Sequence, residues 1–453
     1  MTTKTGLRAE ISPMVRLALP LVFAELGWMA MGIEDTMFVG RVSAQAMGAV
    51  GLGTMLFYGV GIFASGLLLG LDTVVSQSFG AGDRDDCRHS LISGVWLSLF
   101  LIPAVMGAIW LLNPLLSAWG IDPAVMRVTQ PYLRVLNWSA PTLILFFGFR
   151  RYLQSINIVR PIMITLLTAN LVNIFCNWLF VFGNLGMPAM GAEGSAWATF
   201  LSRIYQAVVL GAVILRNEPK LFHVTWKPDF TRVKELLRLG APAAGQIGLE
   251  TGVFAVVTVL IGKLGATPLA GHQIALQTVS MTYMMPLGIS SAAAVRVGHA
   301  IGRRDHEGMA RAGWTALGLG AAVMSCAALT LLIFPFWIAR LFTPEADVIA
   351  AGVTLLRIAA FFQLFDGLQV VATGALRGAG DTRTPMFCHF TGYWVIGLPL
   401  GSLLCFHYAM GAPGLWLGLS VGLVLIGVVL VEVWRRRLKR PEITWPRSES
   451  RLH

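Results

Sequence analysis

The sequence predicts an all-α polytopic membrane protein: twelve transmembrane helices in two pseudo-symmetric six-helix lobes. Three observations carry this expectation. Of 453 residues, 56% are hydrophobic and only 13% are charged, whereas a soluble domain carries about 25% charged residues. Apolar runs of roughly 20 residues, the length that crosses a bilayer as a helix, recur along the whole chain. The chain also matches itself at an offset of 222 residues. Pro20 falls on Pro242, Gly40 on Gly262, Gly66 on Gly288, and Gly80-Ala81-Gly82-Asp83 on Gly302-Arg303-Arg304-Asp305. A repeat of this size means two copies of one bundle.

Six spans fill the N-terminal lobe, residues 1–215: 15–37, 51–76, 90–112, 132–156, 161–183 and 194–215. The first carries Pro20, which removes a helical hydrogen bond and permits a kink. The second runs on to Gly80-Ala81-Gly82-Asp83, which opens a short charged loop. The fifth places Asn170, Asn173 and Asn177 on one helix face by three- and four-residue spacing. Residues 216–238 are the longest polar connection, with Glu218-Pro219-Lys220 and Trp226-Lys227-Pro228-Asp229. They read as a cytoplasmic inter-lobe linker. The C-terminal lobe, 239–434, repeats the pattern at 239–262, 268–298, 312–334, 352–376, 385–408 and 412–434. Its first span repeats the proline as Pro242, and Pro20 and Pro242 are expected to act as hinges. Residues 435–453 form a basic cytoplasmic tail beginning Arg435-Arg436-Arg437.

The formal charge of +11 is a topology signal. With the N-terminus in the cytoplasm, all but seven of the 34 Lys and Arg fall on the cytoplasmic side. The exceptions are Arg41, Arg127, Arg134, Lys263 and Arg340 on the opposite loops, and Arg203 and Arg357 within spans. This bias orients multi-pass proteins and predicts cytoplasmic N- and C-termini in a bacterial inner membrane. No soluble domain carries the basic runs, so nucleic-acid binding is not expected; the tail reads as an anchor on anionic lipid. The five Cys lie mostly within spans and have no CxxC spacing, so they read as small apolar fillers. No cleavable signal peptide is evident.

An ionisable side chain deep in a span costs about 2.5–3.5 kcal/mol on insertion scales, so each needs a reason. Five acids pose the question: Glu25, Glu34 and Asp35 in span one, Glu250 in span seven and Asp366 in span ten. Glu250 and Asp366 lie near the middle of their spans. Helical spacing puts Phe254 one turn from Glu250 and Phe362, Gln363, Gln369 and Val370 around Asp366. Arg377 and Arg357 are two to three turns from Asp366, so no basic residue of that half is well placed. A buried carboxylate without a cationic partner takes up a proton, binds a metal cation or meets a cationic ligand. A protonated, hydrogen-bonded structural acid is the alternative, and it is the stronger reading for Glu25. Asp35, Asn173, Asn177 and Thr199, with Asn170, form a second polar nest on paper. Amide oxygens can ligate Na⁺, or the same groups can be interhelical glue. Trp28 and Met31 share the Asp35 face, which suits an organic cation.

The chain contains no GxxxxGK[ST], GxGxxG, HExxH or GxSxG. Direct ATP use, a bound cofactor and enzymatic catalysis are therefore not expected, and an ion gradient or membrane potential must supply the energy. Asp83-Arg84-Asp85-Asp86 is the one loop cluster that invites an intramembrane-enzyme reading, and Asp305-His306-Glu307 does not repeat it.

Five stretches carry a family resemblance: Pro20 to Gly40 (PLVFAELGWMAMGIEDTMFVG), Gly80-Ala-Gly-Asp83, Ala270-Gly-His-Gln-Ile-Ala275, Arg296-Val-Gly-His-Ala-Ile-Gly302, and Ala375-Leu-Arg-Gly-Ala-Gly-Asp-Thr-Arg-Thr-Pro385. Together they resemble the multidrug and toxic compound extrusion (MATE) transporters over nearly the whole chain. The resemblance implies export of hydrophobic, often cationic compounds in exchange for Na⁺ or H⁺; a monomer is expected. It puts Asp35 at the family's first-helix acid and Asn173, Asn177 and Thr199 at the polar positions near it. It puts Glu250, Gln273 and Asp366 at the cation and substrate positions of the C-terminal lobe, where Na⁺ would bind Glu250 and Asp366. Acids in both lobes resemble the bacterial NorM-type branch. Position 177 is Asn where many members have Asp, and Phe362 stands where some sodium-coupled relatives have Tyr. Coupling by Na⁺, by H⁺ or by both thus stays open. A flippase for a lipid-linked or amphipathic metabolite is the alternative; the clearest mid-span charges are acidic rather than cationic, which argues against it.

Overall fold

The computed structural model describes residues 4–118 and 123–439, so most of the basic tail, from residue 440 on, lies outside the described residues. Among these residues every regular element is helical. They are α1 (Lys4–Gly40), α2 (Ala44–Leu67), α3 (Gly70–Gly80), α4 (Arg84–Ala118), α5 (Pro123–Trp138), α6 (Ala140–Ser155), α7 (Arg160–Phe182) and α8 (Ala192–Asn217), then α9 (Phe230–Gly262), α10 (Ala266–Gly302), α11 (His306–Ile333), α12 (Pro335–Phe342), α13 (Ala346–Gly378), α14 (Arg383–His389), α15 (Leu398–Ser402) and α16 (Ala412–Arg437). Two π-helical stretches, Phe390–Gly397 and Leu403–His407, make α14 and α15 one continuous rod.

Ten of these stretches are long and apolar enough to cross a membrane. The other two expected spans are helical as well, and each departs for a physical reason. Span 132–156 is broken at Ser139, with Pro141 in the first turn of α6, and neither α5 nor α6 exceeds 16 residues. Span 268–298 lies within α10, which is 37 residues long but rich in Gln, Ser, Thr and His. A helix can carry that polarity when protein rather than lipid surrounds it. Much of α10 is buried, and it packs along α11 and α13. Two of its contacts with α13 are polar: Gln363 Nε2 donates to Thr282 Oγ1 at 2.5 Å, and Ser290 Oγ donates to the Val370 carbonyl at 2.7 Å.

The repeat is visible in local geometry. After α3 the chain turns at Gly82 (φ +81°), and Asp83 Oδ1 accepts from the Asp86 amide at 2.8 Å. After α10 the equivalent turn is at Arg304 (φ +58°), and Asp305 Oδ1 accepts from the Gly308 amide at 2.7 Å. Both turns place a residue at positive φ, and in each an aspartate caps the next helix. Close packing repeats too. A Cβ on Gly66 would lie 2.5 Å from the Ala244 Cα, and one on Gly288 would lie 2.6 Å from the Val22 amide. These are equivalent pairs at the 222-residue offset.

The described residues gather into two compact units. One comprises 4–22, 76–82 and 245–439; the other comprises 23–75 and 83–244. In the first, α13 packs along α10, α11 and α16; in the second, α7 lies along α8, α5 along α2, and α6 along α4 and α8. Helices α1 and α9 run unbroken through Pro20 and Pro242. The chain leaves one unit for the other at 22/23 and again at 244/245, two residues past each proline. The expected linker 216–238 is partly helical, since α9 starts at Phe230. Its Glu218 is buried between Arg88 (2.8 Å) and Arg84 (3.5 Å) at the start of α4, and Trp96 Nε1 donates to the Trp226 carbonyl at 3.0 Å.

Candidate functional site

Glu250 on α9 and Asp366 on α13 share one donor. Gln369 Nε2, one turn beyond Asp366, donates to Asp366 Oδ1 at 3.0 Å and reaches Glu250 Oε1 at 3.4 Å. The same amide lies 3.2 Å from the Tyr393 hydroxyl, and the Tyr283 hydroxyl reaches Glu250 Oε2 at 3.4 Å. Asp366 is 4% exposed, and its Oδ2 is buried without a hydrogen-bond partner. Among the described residues no Arg or Lys pairs with either acid. The cluster therefore has more acceptor atoms than donors, an arrangement that suits a proton, a sodium ion or an organic ammonium. No group of three or more His, Cys, Asp or Glu arranged as a metal centre occurs among the described residues.

His389, at the end of α14, joins this cluster and was not singled out from the sequence. Its Nδ1 donates to the Pro385 carbonyl at 2.7 Å, which turns Nε2 toward Gln246 (3.4 Å) and Glu250 Oε2 (3.9 Å). With Nδ1 holding the hydrogen, Nε2 of the neutral ring is an acceptor. The available signal was the four-residue spacing of His389 and Tyr393 in a mostly apolar span. Phe254 sets its ring against Tyr393, centroids 6.1 Å apart. Phe362 is buried against Trp416 at 6.0 Å. Trp416 Nε1 donates to His272 Nδ1 at 3.0 Å, and His272 Nε2 meets Thr258 Oγ1 at 2.9 Å, so that imidazole is fully engaged. Gln273, beside it, is exposed and makes no hydrogen bond to either acid.

The other unit holds Asp35. Asn177 Nδ2 donates to its Oδ1 and Thr199 Oγ1 to its Oδ2, each at 2.7 Å. Asn173 Oδ1 accepts from Asn177 Nδ2 at 2.9 Å, so four of the five residues expected in this nest are together. Asn170 stands apart, donating to the Gly27 carbonyl at 2.9 Å and so tying α7 to α1. Arg203, four residues after Thr199 on α8, is also buried. Its guanidinium stacks on Phe57 (4.6 Å) and donates to the Tyr58 hydroxyl (3.1 Å) and to Ser139. Trp28 packs among Tyr58, Phe146 and Phe147, with centroids 5.4–6.0 Å apart. Glu25 is ion-paired with Arg150, both buried, so it is tied down by a basic partner from another helix rather than held as the protonated acid that its sequence suggested.

The MatE family model matches the chain twice, over residues 20–179 and 242–403. Both matches begin at the equivalent prolines. The chain belongs to the MatE family. A probable multidrug resistance protein NorM of Mesorhizobium japonicum is 36% identical over 95% of this chain and 94% of its own length. The multidrug resistance protein NorM of Aliivibrio fischeri is 34% identical over 93% of each chain. The crystal structure of the eukaryotic MATE transporter AtDTX14 matches with a TM-score of 0.87 at 20% identity, covering 96% of this chain and 98% of that one. The MATE fold, of twelve helices in two pseudo-symmetric lobes, and a role in multidrug efflux follow for this multi-pass membrane protein.

Proposed function

We propose that this MATE transporter is a secondary antiporter of the bacterial inner membrane, with both termini cytoplasmic, which exports hydrophobic cations in exchange for Na⁺ or H⁺. The observation that carries the reading is the Glu250–Gln369–Asp366 bridge. Two buried carboxylates on one amide cannot both stay ionised without a counter-charge. A proton, a sodium ion or an organic cation can supply it, so ion and cargo compete for one place. Competition becomes exchange when each occupant prefers a different conformational state.

In this reading the ion enters from outside, neutralises Glu250 and Asp366 and expels the cargo; inside, the ion leaves and cargo rebinds. Asp35, held by Asn177 and Thr199, is a second cation-coupling position. The lobes 1–215 and 239–434 are the moving bodies, and Pro20 and Pro242 are the bending points. The passage of the chain between compact units two residues beyond each proline supports this role.

Liposomes containing the purified chain, a fluorescent organic cation and either a Na⁺ or an H⁺ gradient test the proposal. At least one gradient alone is expected to drive dye movement, and Asp366→Asn is expected to abolish it while the protein remains folded. Unchanged movement in Asp366→Asn removes Asp366 from coupling, and indifference to both gradients overturns the exchange.

A further inference from the structure

A cavity of about 500 Å³ opens between α12 and the first turns of α13. Phe336, Ile349, Ala350 and Val353 supply an apolar wall, and Arg340 and Arg357 flank it. Both arginines are exposed, and among the described residues neither makes a hydrogen bond or an ion pair. Glu345 and Asp347 are near in sequence and exposed, and neither bonds to them. Two guanidiniums converging on one cavity without an acid leave a seat for an anion.

The level of this seat follows from helix geometry. Arg357 and Arg377 lie on α13, twenty residues apart. At 1.5 Å per residue that is about 30 Å, the thickness of the hydrocarbon layer. With Arg377 at one headgroup layer, Arg357 stands at the other. Helix α12 fits that layer as well: Phe336, Trp337, Leu341 and Phe342 are all exposed, an apolar and aromatic surface suited to the membrane interface.

We propose that this cavity binds an anionic phospholipid of the leaflet opposite Arg377, the outer leaflet in the orientation given above. The phosphate sits between Arg340 and Arg357, and an acyl chain follows Phe336, Ile349 and Val353. The apolar wall beside the charged seat favours a lipid over a free anion.

Native mass spectrometry of the full chain in detergent, titrated with phosphatidylglycerol or with phosphatidylcholine of the same acyl chains, tests this. Phosphatidylglycerol is expected to bind more tightly. Arg340→Gln and Arg357→Gln are each expected to weaken its tightest binding step about fivefold, the worth of one basic side chain at an anionic surface. Replacing Arg435, Arg436 and Arg437 by Gln should leave that step unchanged. Unchanged binding in the variants, or equal binding of the two lipids, overturns the proposal. Displacement of the lipid by millimolar inorganic phosphate makes the seat a free-anion site and overturns it too.

Discussion

Glu25 and Arg150 are 125 residues apart in the chain and meet as one buried ion pair. Removing one partner of such a pair leaves a lone buried charge, which costs about 3–5 kcal/mol. Arg150→Ala is therefore expected to lower thermal stability sharply in detergent, and Glu25→Gln with Arg150→Gln to recover much of the loss. Gln369 has the opposite character: it is a neutral donor on which two acids depend. Its replacement by Leu strands buried acceptors, each worth about 1–3 kcal/mol, so gradient-driven dye transport should fall about tenfold or more. Transport at the native rate would show that the shared amide is dispensable. Spacing along single helices was enough to place Gln369 beside Asp366 and to align Asn173 with Asn177. It could not reveal His389 beside Glu250 or Arg203 against Phe57 and Tyr58. Those neighbours come from other helices, and periodicity carries no information across a packing interface.

At the scale of elements, the polar turns were legible and the helix limits less so. Gly80-Ala81-Gly82-Asp83 and its repeat marked where a short charged loop opens, and the structure adds a left-handed residue and a helix cap to each. Gly82→Ala forces a Cβ into a conformation at φ +81° and should cost about 1–2 kcal/mol. Asp305→Ala removes the cap of α11 and should cost about 1 kcal/mol. Thermal unfolding of the detergent-solubilised protein measures both; a stability gain in either would contradict the turn geometry. The break at Ser139 was missed because apolar residues continue on both sides of it, and hydropathy does not register a turn between two helices.

For the whole molecule, the self-match at 222 residues carried the most information. It anticipated the equivalent contacts Gly66–Ala244 and Gly288–Val22 and the two-fold match to the family model. It did not anticipate that segments 4–22 and 76–82 belong to the same compact unit as 245–439, because a sequence repeat aligns copies without saying which copy each segment packs in. If Pro20 and Pro242 are the bending points, Pro20→Ala with Pro242→Ala should abolish dye efflux while equilibrium binding of the dye stays within about twofold of native. Efflux at the native rate in that double variant excludes the hinge role.

The polarity of α10 has a consequence for biosynthesis. Newly made segments enter the bilayer from the translocon according to their own affinity for lipid, and α10 carries Gln, His, Ser and Thr along its length. Emerging alone from the ribosome, it would be a poor candidate for release into the membrane. Its stable insertion is expected to require α11 and α13, which offer it a protein surface. Order of synthesis thus becomes part of how this transporter reaches its native state.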